Sequence, residues 1–120
     1  MNQRRQHLAE GKRRRLMALL LTVPFAGIGA VSFAQSTPKT HTVVIDGMQF
    51  SPSTIEVSVG DTVTWVNKDP FPHTATAQDK SFDSGDLQSG HSWKFKVRKK
   101  GTFPYVCTLH STMKGVLVVK

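Results

Sequence analysis

The sequence predicts an all-β domain, a small antiparallel β-sandwich, on three observations. Short stretches alternate apolar and polar residues at period two, and turn-forming residues separate them every several positions. No stretch carries the 3.6-residue periodicity of an amphipathic helix. A chain of 120 residues with a pI of about 10.1 accommodates one such domain and an appendage.

The appendage comes first. Residues 1–15 are polar and basic, residues 16–31 are almost wholly apolar, and Ser32-Phe33-Ala34 offers small residues at the two positions a signal peptidase reads. That order predicts a secretory signal peptide over residues 1–34, cleaved after Ala34. The apolar run is shorter than the ~20 residues a spanning helix needs, and Pro24 and glycines interrupt it, so a membrane anchor is the poorer reading. No cysteine lies near the cleavage site, which excludes a lipoprotein anchor. Arg13-Arg14-Arg15-Leu16-Met17 resembles a twin-arginine export motif with Lys12 where Ser or Thr is usual, and the general secretory route stays open beside it. Six cations against Glu10 before residue 35 account for +5 of the net +8, leaving +3 for the rest. The basicity is therefore that of a leader, and no nucleic-acid partner is expected.

Residues 35–40 form a short polar lead, and the domain proper is expected over 41–120. Residues 41–45 are rich in β-branched side chains and read as a strand ending at the turn Asp46-Gly47. Met48 and Phe50 follow in a segment closed by Ser51-Pro52, where proline argues against a central strand. In residues 54–59 Ile55, Val57 and Val59 share one face; Gly60-Asp61 makes a turn; residues 62–67 return with Val63 and Trp65 on one face. An antiparallel pair is the simplest expectation for these two.

Residues 68–90 are rich in Pro, Asp, Ser and Gly and read mostly as loop, with a short strand at 73–77. Residues 91–97 alternate again, Trp93, Phe95 and Val97 opposing His91, Lys94 and Lys96. Lys94, Lys96, Arg98, Lys99 and Lys100 read as a solvated strand face and turn rather than a steering surface. His41 and His91 have no second donor at useful spacing and are expected to be solvated. Residues 102–107 and 115–119 are the last two strands.

Between those strands lies the most informative stretch, Cys107-Thr108-Leu109-His110-Ser111-Thr112-Met113, which gathers the only cysteine, a histidine and a methionine. Singly, a cysteine is usually a small buried hydrophobe, a methionine core filler and a histidine solvated. Together, thiolate, imidazole and thioether make a soft donor set suited to copper, and a His₂Cys site with a long axial Met is the blue-copper arrangement. His73, on a Pro-punctuated segment after a clear strand, is the best candidate for the second histidine. The expected metal ligands are His73, Cys107, His110 and Met113. With one cysteine no intramolecular disulfide can form, so stability rests on the apolar core and the bound ion.

Four segments, Asp46-Gly47-Met48-Gln49-Phe50-Ser51-Pro52, Gly60-Asp61-Thr62-Val63-Thr64-Trp65-Val66-Asn67, Pro72-His73-Thr74 and residues 105–113, together resemble the cupredoxins, the type 1 blue copper proteins. The short spacing from Cys107 through His110 to Met113 is most similar to the amicyanin group, within the wider set of plastocyanin and pseudoazurin. The likeness implies a Greek-key cupredoxin-like sandwich holding one Cu(I)/Cu(II) ion and a soluble, monomeric periplasmic electron carrier. It also implies redox partner proteins, a donor dehydrogenase and/or a c-type cytochrome acceptor, docking transiently near His110 on an apolar patch of Met48, Phe71, Pro72 and Leu109. No stable membrane insertion is expected once the leader is removed. The likeness further implies that Asn67 ties the His73 segment to the Cys107 loop, with Thr108 as its partner.

The alternative is a copper-binding or delivery protein with no redox partner. Enzyme activity is not expected. The H-x-H pairs of multicopper oxidases and the H-E-x-x-H of zinc hydrolases are absent, and a four-donor site lacks the open position that catalysis needs.

Overall fold

The structure is a computed structural model that describes residues 21–120. The basic start of the expected leader, within residues 1–20, lies outside the described residues. Residues 21–33 contain no helix or strand and are exposed. Among the described residues no helix is long and apolar enough to cross a membrane.

The unit Ala34–Lys120 is built from eight strands. They are β1 (Thr40–Asp46), β2 (Gln49–Ser51), β3 (Thr54–Val57), β4 (Thr62–Asn67), β5 (Thr76–Ala77), β6 (Ser92–Lys96), β7 (Gly101–Cys107) and β8 (His110–Val119). Two sheets of four strands result, ordered β2-β1-β4-β6 and β3-β8-β7-β5. Period-two alternation sends Val43 and Ile45, Ile55 and Val57, Val63 and Trp65, and Tyr105 and Cys107 into one core, which Phe50, Phe82, Leu117 and Val119 complete. Trp65 is its centre, with Phe82, Trp93 and Tyr105 at ring-centroid distances of 5.4, 5.6 and 5.6 Å.

The sheets are mixed rather than purely antiparallel. β1 runs parallel to β4 with Thr40 opposite Thr62, and β3 parallel to β8 with Thr54 opposite Val116. Consequently β3 and β4 do not form the expected hairpin but belong to opposite sheets. Both strands have an apolar face, and crossing between sheets lets those faces meet across the core, where edge-to-edge pairing would leave each waiting for another cover. Asp61 holds the crossover: its carboxylate accepts the N–H groups of Lys39 (2.9 Å) and Ser58 (3.0 Å) and pairs with His41 Nε2 at 2.8 Å. Those contacts hold its pKa at about 2. His41 is thus an Asp61 partner and not a solvated side chain, whereas His91 is exposed as expected.

Two further expectations change. The strand expected at 73–77 shrinks to Thr76–Ala77, paired with Val106 and Tyr105 of β7, while His73 forms an isolated bridge with Leu87. The last two strands run closer together than their apolar pattern indicated, because β8 begins at His110, opposite Cys107, across a register shift at Val106/Cys107. A tight turn, not an open loop, therefore separates Cys107 from His110.

Candidate metal centre

The turn after β7 puts Cys107 at the end of one strand and His110 at the start of the next, on the same end of the sandwich. The segment between β4 and β5 brings His73 there from the other side, its backbone N–H and C=O bonded to Leu87 at 3.1 and 2.7 Å. His73 and Cys107 are fully buried; His110 is half-buried.

Cys107 Sγ lies 3.7 Å from His73 Nδ1 and 3.6 Å from His110 Nδ1. The three donor atoms all lie within 4.8 Å of one another. Metal–nitrogen bonds of about 2.0–2.1 Å and metal–sulfur bonds of about 2.3 Å, opened to between roughly 110° and 120°, put N and S about 3.6–3.8 Å apart. The spacing therefore fits one ion seated among the three donors. Met113 is buried on β8, three residues beyond His110. Thiolate, two imidazoles and a thioether match copper better than a hard cation.

Two of the candidate donors, His73 and Cys107, are held by partners outside the donor set. His73 Nε2, the nitrogen turned away from Cys107, is 2.9 Å from Asp69 Oδ2. A carboxylate on the outer nitrogen directs the Nδ1 lone pair toward the site. Asp69 also accepts the N–H groups of Gly47 (2.7 Å) and Met48 (2.9 Å) at the β1–β2 hairpin tip. Burial pushes the Asp69 carboxyl up, but the Met48 and Gly47 amides and the His73 ring outweigh it and leave the pKa below its ordinary value. Both tip residues have φ of 60°. That is a primed two-residue turn, in which Gly47 is at ease and Met48 is strained.

Asn67 does not reach Thr108. Its Nδ2 donates to the carbonyls of Phe71 (2.7 Å) and Leu87 (2.9 Å), and its Oδ1 accepts the Asp69 N–H at 2.9 Å. Asn67 therefore shapes the turn that carries His73, and both of its amide N–H donors are used there. The tie between the two ligand segments falls instead to Thr74, which the sequence reading passed over. Its N–H donates to Cys107 Sγ at 3.3 Å, and its Oγ1 accepts the Thr108 N–H at 2.9 Å. Thr74 Oγ1 also lies 3.1 Å from Thr108 Oγ1 and 3.0 Å from Thr76 Oγ1, which in turn is 3.0 Å from Asp83 Oδ1. Thr76 is the donor in both of its contacts, so its single proton goes either to Asp83 Oδ1 or to Thr74 Oγ1 at any moment. A row of hydroxyls thus anchors the cysteine turn to Asp83. Its only sequence signal is the threonine following the ligand histidine.

The residues expected around the site are at the surface. Met48, Phe71 and Leu109 are exposed and Pro72 is partly so. Lys94, Lys96, Arg98, Lys99 and Lys100 are all exposed, on β6 and the turn after it.

A buried cysteine sulfur flanked by two imidazoles at one end of a mixed β-sandwich fits a mononuclear copper-protein class. The sequence profile of the cupredoxin-like domain matches residues 16–119, and the chain belongs to that family. It is 32% identical over 98 residues to amicyanin-alpha of Methylorubrum extorquens, a match covering 77% of this chain and 82% of that protein. A solved Cu(I) amicyanin variant superposes with a TM-score of 0.63 at 28% identity, covering 68% of this chain and 82% of that one. The copper-containing nitrite reductase of Thermus scotoductus superposes with a TM-score of 0.63 at 30% identity, covering 72% of this chain but only 23% of that enzyme. The donor set and the family agree on one copper ion as the cofactor.

Proposed function

We propose that the protein is a soluble periplasmic electron carrier whose single type 1 copper would be held by His73 Nδ1, Cys107 Sγ and His110 Nδ1, with Met113 supplying a thioether as the fourth donor. The observation that carries this reading is the pair of sulfur–nitrogen distances, 3.7 and 3.6 Å, that bring His73 from a segment 34 residues earlier to the Cys107–His110 turn, with His73 held by Asp69 and Cys107 by Thr74. Copper supplies one-electron chemistry between its two oxidation states when bound.

The chain's own residues keep rearrangement small. Thr74 fixes the sulfur, Asp69 fixes the His73 ring, and burial of both donors excludes water. His110 is the half-buried ligand, so it is the route by which an electron reaches a docked partner. The exposed Met48, Phe71 and Leu109 with Pro72 form the apolar ground on which a donor dehydrogenase or a c-type cytochrome acceptor docks. Such docking is transient, and the carrier is a monomer with no catalytic role. The leader over residues 1–34 directs export and is removed after Ala34.

The test is Cys107→Ala in copper-loaded protein. The intense visible charge-transfer band disappears while the β-sheet circular dichroism remains, and persistence of the band rejects the ligand assignment. Electron self-exchange of the unaltered protein separates carrier from courier. Fast exchange with a reversible potential supports the carrier, and slow exchange with ready transfer of copper to an apo-acceptor means delivery.

A further inference from the structure

We propose that the cleft between the two sheets beside the β6–β7 turn binds a small amphipathic organic anion, an aliphatic or aromatic carboxylate of about ten heavy atoms. A cavity of about 290 Å³ opens there, with Phe95, Phe103 and Leu117 on its wall and Lys96, Arg98 and Lys99 on its rim. At roughly 30 Å³ per water it would hold about ten waters, and few of them would find polar partners on such a wall. An apolar body entering it releases that water, as the hydrophobic effect favours. β6 is the last strand of its sheet, so nothing further in that sheet closes the opening.

The wall is built rather than accidental. Gly101 has a φ of 148°, and a Cβ there would sit 3.2 Å from the Phe103 ring, so glycine gives that ring its place beside the cavity. Phe82 closes the inner end, its ring 5.1 Å from that of Phe95.

The rim chooses the sign of the ligand. No carboxylate lines the cavity, and among the described residues none of the three cations is in an ion pair. Asp79 is the acid that feels Lys99, but its carboxyl is held mainly by the hydroxyl and N–H of Ser81. A second cleft, about 240 Å³, is also lined by charges, but it carries the carboxylates of Asp61 and Glu56, paired with His41 at 2.8 Å and Lys120 at 3.0 Å, beside the cation of Lys39. An inorganic anion would leave the aromatic wall unused and a neutral apolar molecule would leave the cations unused. A single carboxylate on an apolar body uses both.

The site stands apart from the copper donors. Phe103 lies four residues before Cys107 on β7, and none of the cavity's lining residues is a donor.

The experiment is a titration of ¹⁵N-labelled, reduced copper protein, which is diamagnetic, with decanoate. Expected are saturable shifts at the amides of residues 95–99, 103 and 117–119, with residues 107–113 unmoved. Decyltrimethylammonium at the same concentrations should give no saturable shift. Lys96→Gln, Arg98→Gln and Lys99→Gln combined should weaken decanoate about tenfold, the sum of three modest exposed ion contacts, and added salt should act in the same direction. Absence of saturation, equal binding of the cationic amphiphile, shifts centred on the copper pole, or an unaffected triple variant would each overturn the proposal.

Discussion

Gly115→Ala tests whether the strand carrying His110 and Met113 is seated as the structure has it. Gly115 lies opposite Tyr105 in the β7–β8 pair, and the phenol ring covers its backbone. A Cβ at 115 would stand 2.2 Å from Tyr105 Cζ and 2.4 Å from its hydroxyl oxygen, so something must move. The ring has little freedom. It is fully buried, and its neighbours Phe50, Trp65 and Phe82 are at 4.7, 5.6 and 5.8 Å between centroids. Burial pushes the phenol up to about 12, opposed in part by the Trp65 indole, in keeping with its dry surroundings.

If the backbone absorbs the methyl, the cost is that of overpacking, about 1–3 kcal/mol. If the ring is expelled, the core loses an aromatic side chain, about 3–5 kcal/mol. Either falls well outside the few tenths expected of a surface change. Chemical denaturation of the copper-free protein gives the number, and Tyr105→Leu supplies the control: it removes the obstructing ring, so the double variant should be less destabilised than the two single costs added together. A Gly115→Ala protein within about 0.5 kcal/mol of the parent, or strict additivity with Tyr105→Leu, would refute the packing argument.

Thr74→Val removes the hydroxyl that takes the Thr108 N–H while keeping the shape, and should cost about 1–3 kcal/mol and alter the copper EPR spectrum. Thr74→Ser should restore the spectrum, and a valine variant with parental spectrum and stability means the hydroxyl row is idle. Met113→Leu should retain the blue colour and raise the reduction potential measured by voltammetry; a colourless protein would show a stronger bond than an axial thioether makes. Asp61→Asn bears on pH. The Lys39 and Ser58 amides, then His41, lower the folded-state pKa from 3.8 to about 2, so the carboxylate's stabilisation is present above pH 3.8 and lost as pH falls toward 2. The gap in denaturation midpoint between parent and Asn variant should therefore close over that window, and a constant gap from pH 7 to pH 2 would contradict it.

Much of this was legible in one dimension. Period-two alternation located β3, β4 and β6, because a half-buried strand must alternate whatever it pairs with, and β-branched content located β1. C-x-x-H-x-x-M singled out the candidate donors of the second segment, because the chemistry of a soft ion restricts which side chains can serve. Alternation is silent about neighbours, however. The same pattern in residues 54–59 and 62–67 serves a hairpin or two strands facing each other across a core, and the sequence reading took the former where the fold has the latter.

Local chemistry alone determined that this chain is a β domain with a soft donor set. Tertiary structure alone decided that His73 lies 3.7 Å from Cys107, that Thr74 rather than Asn67 joins the two segments, and that Asp69 stands behind the ring. Hydrogen-bond partners separated by 34 residues, as Thr74 and Thr108 are, depend on how strands are stacked, and no periodicity within either segment encodes that.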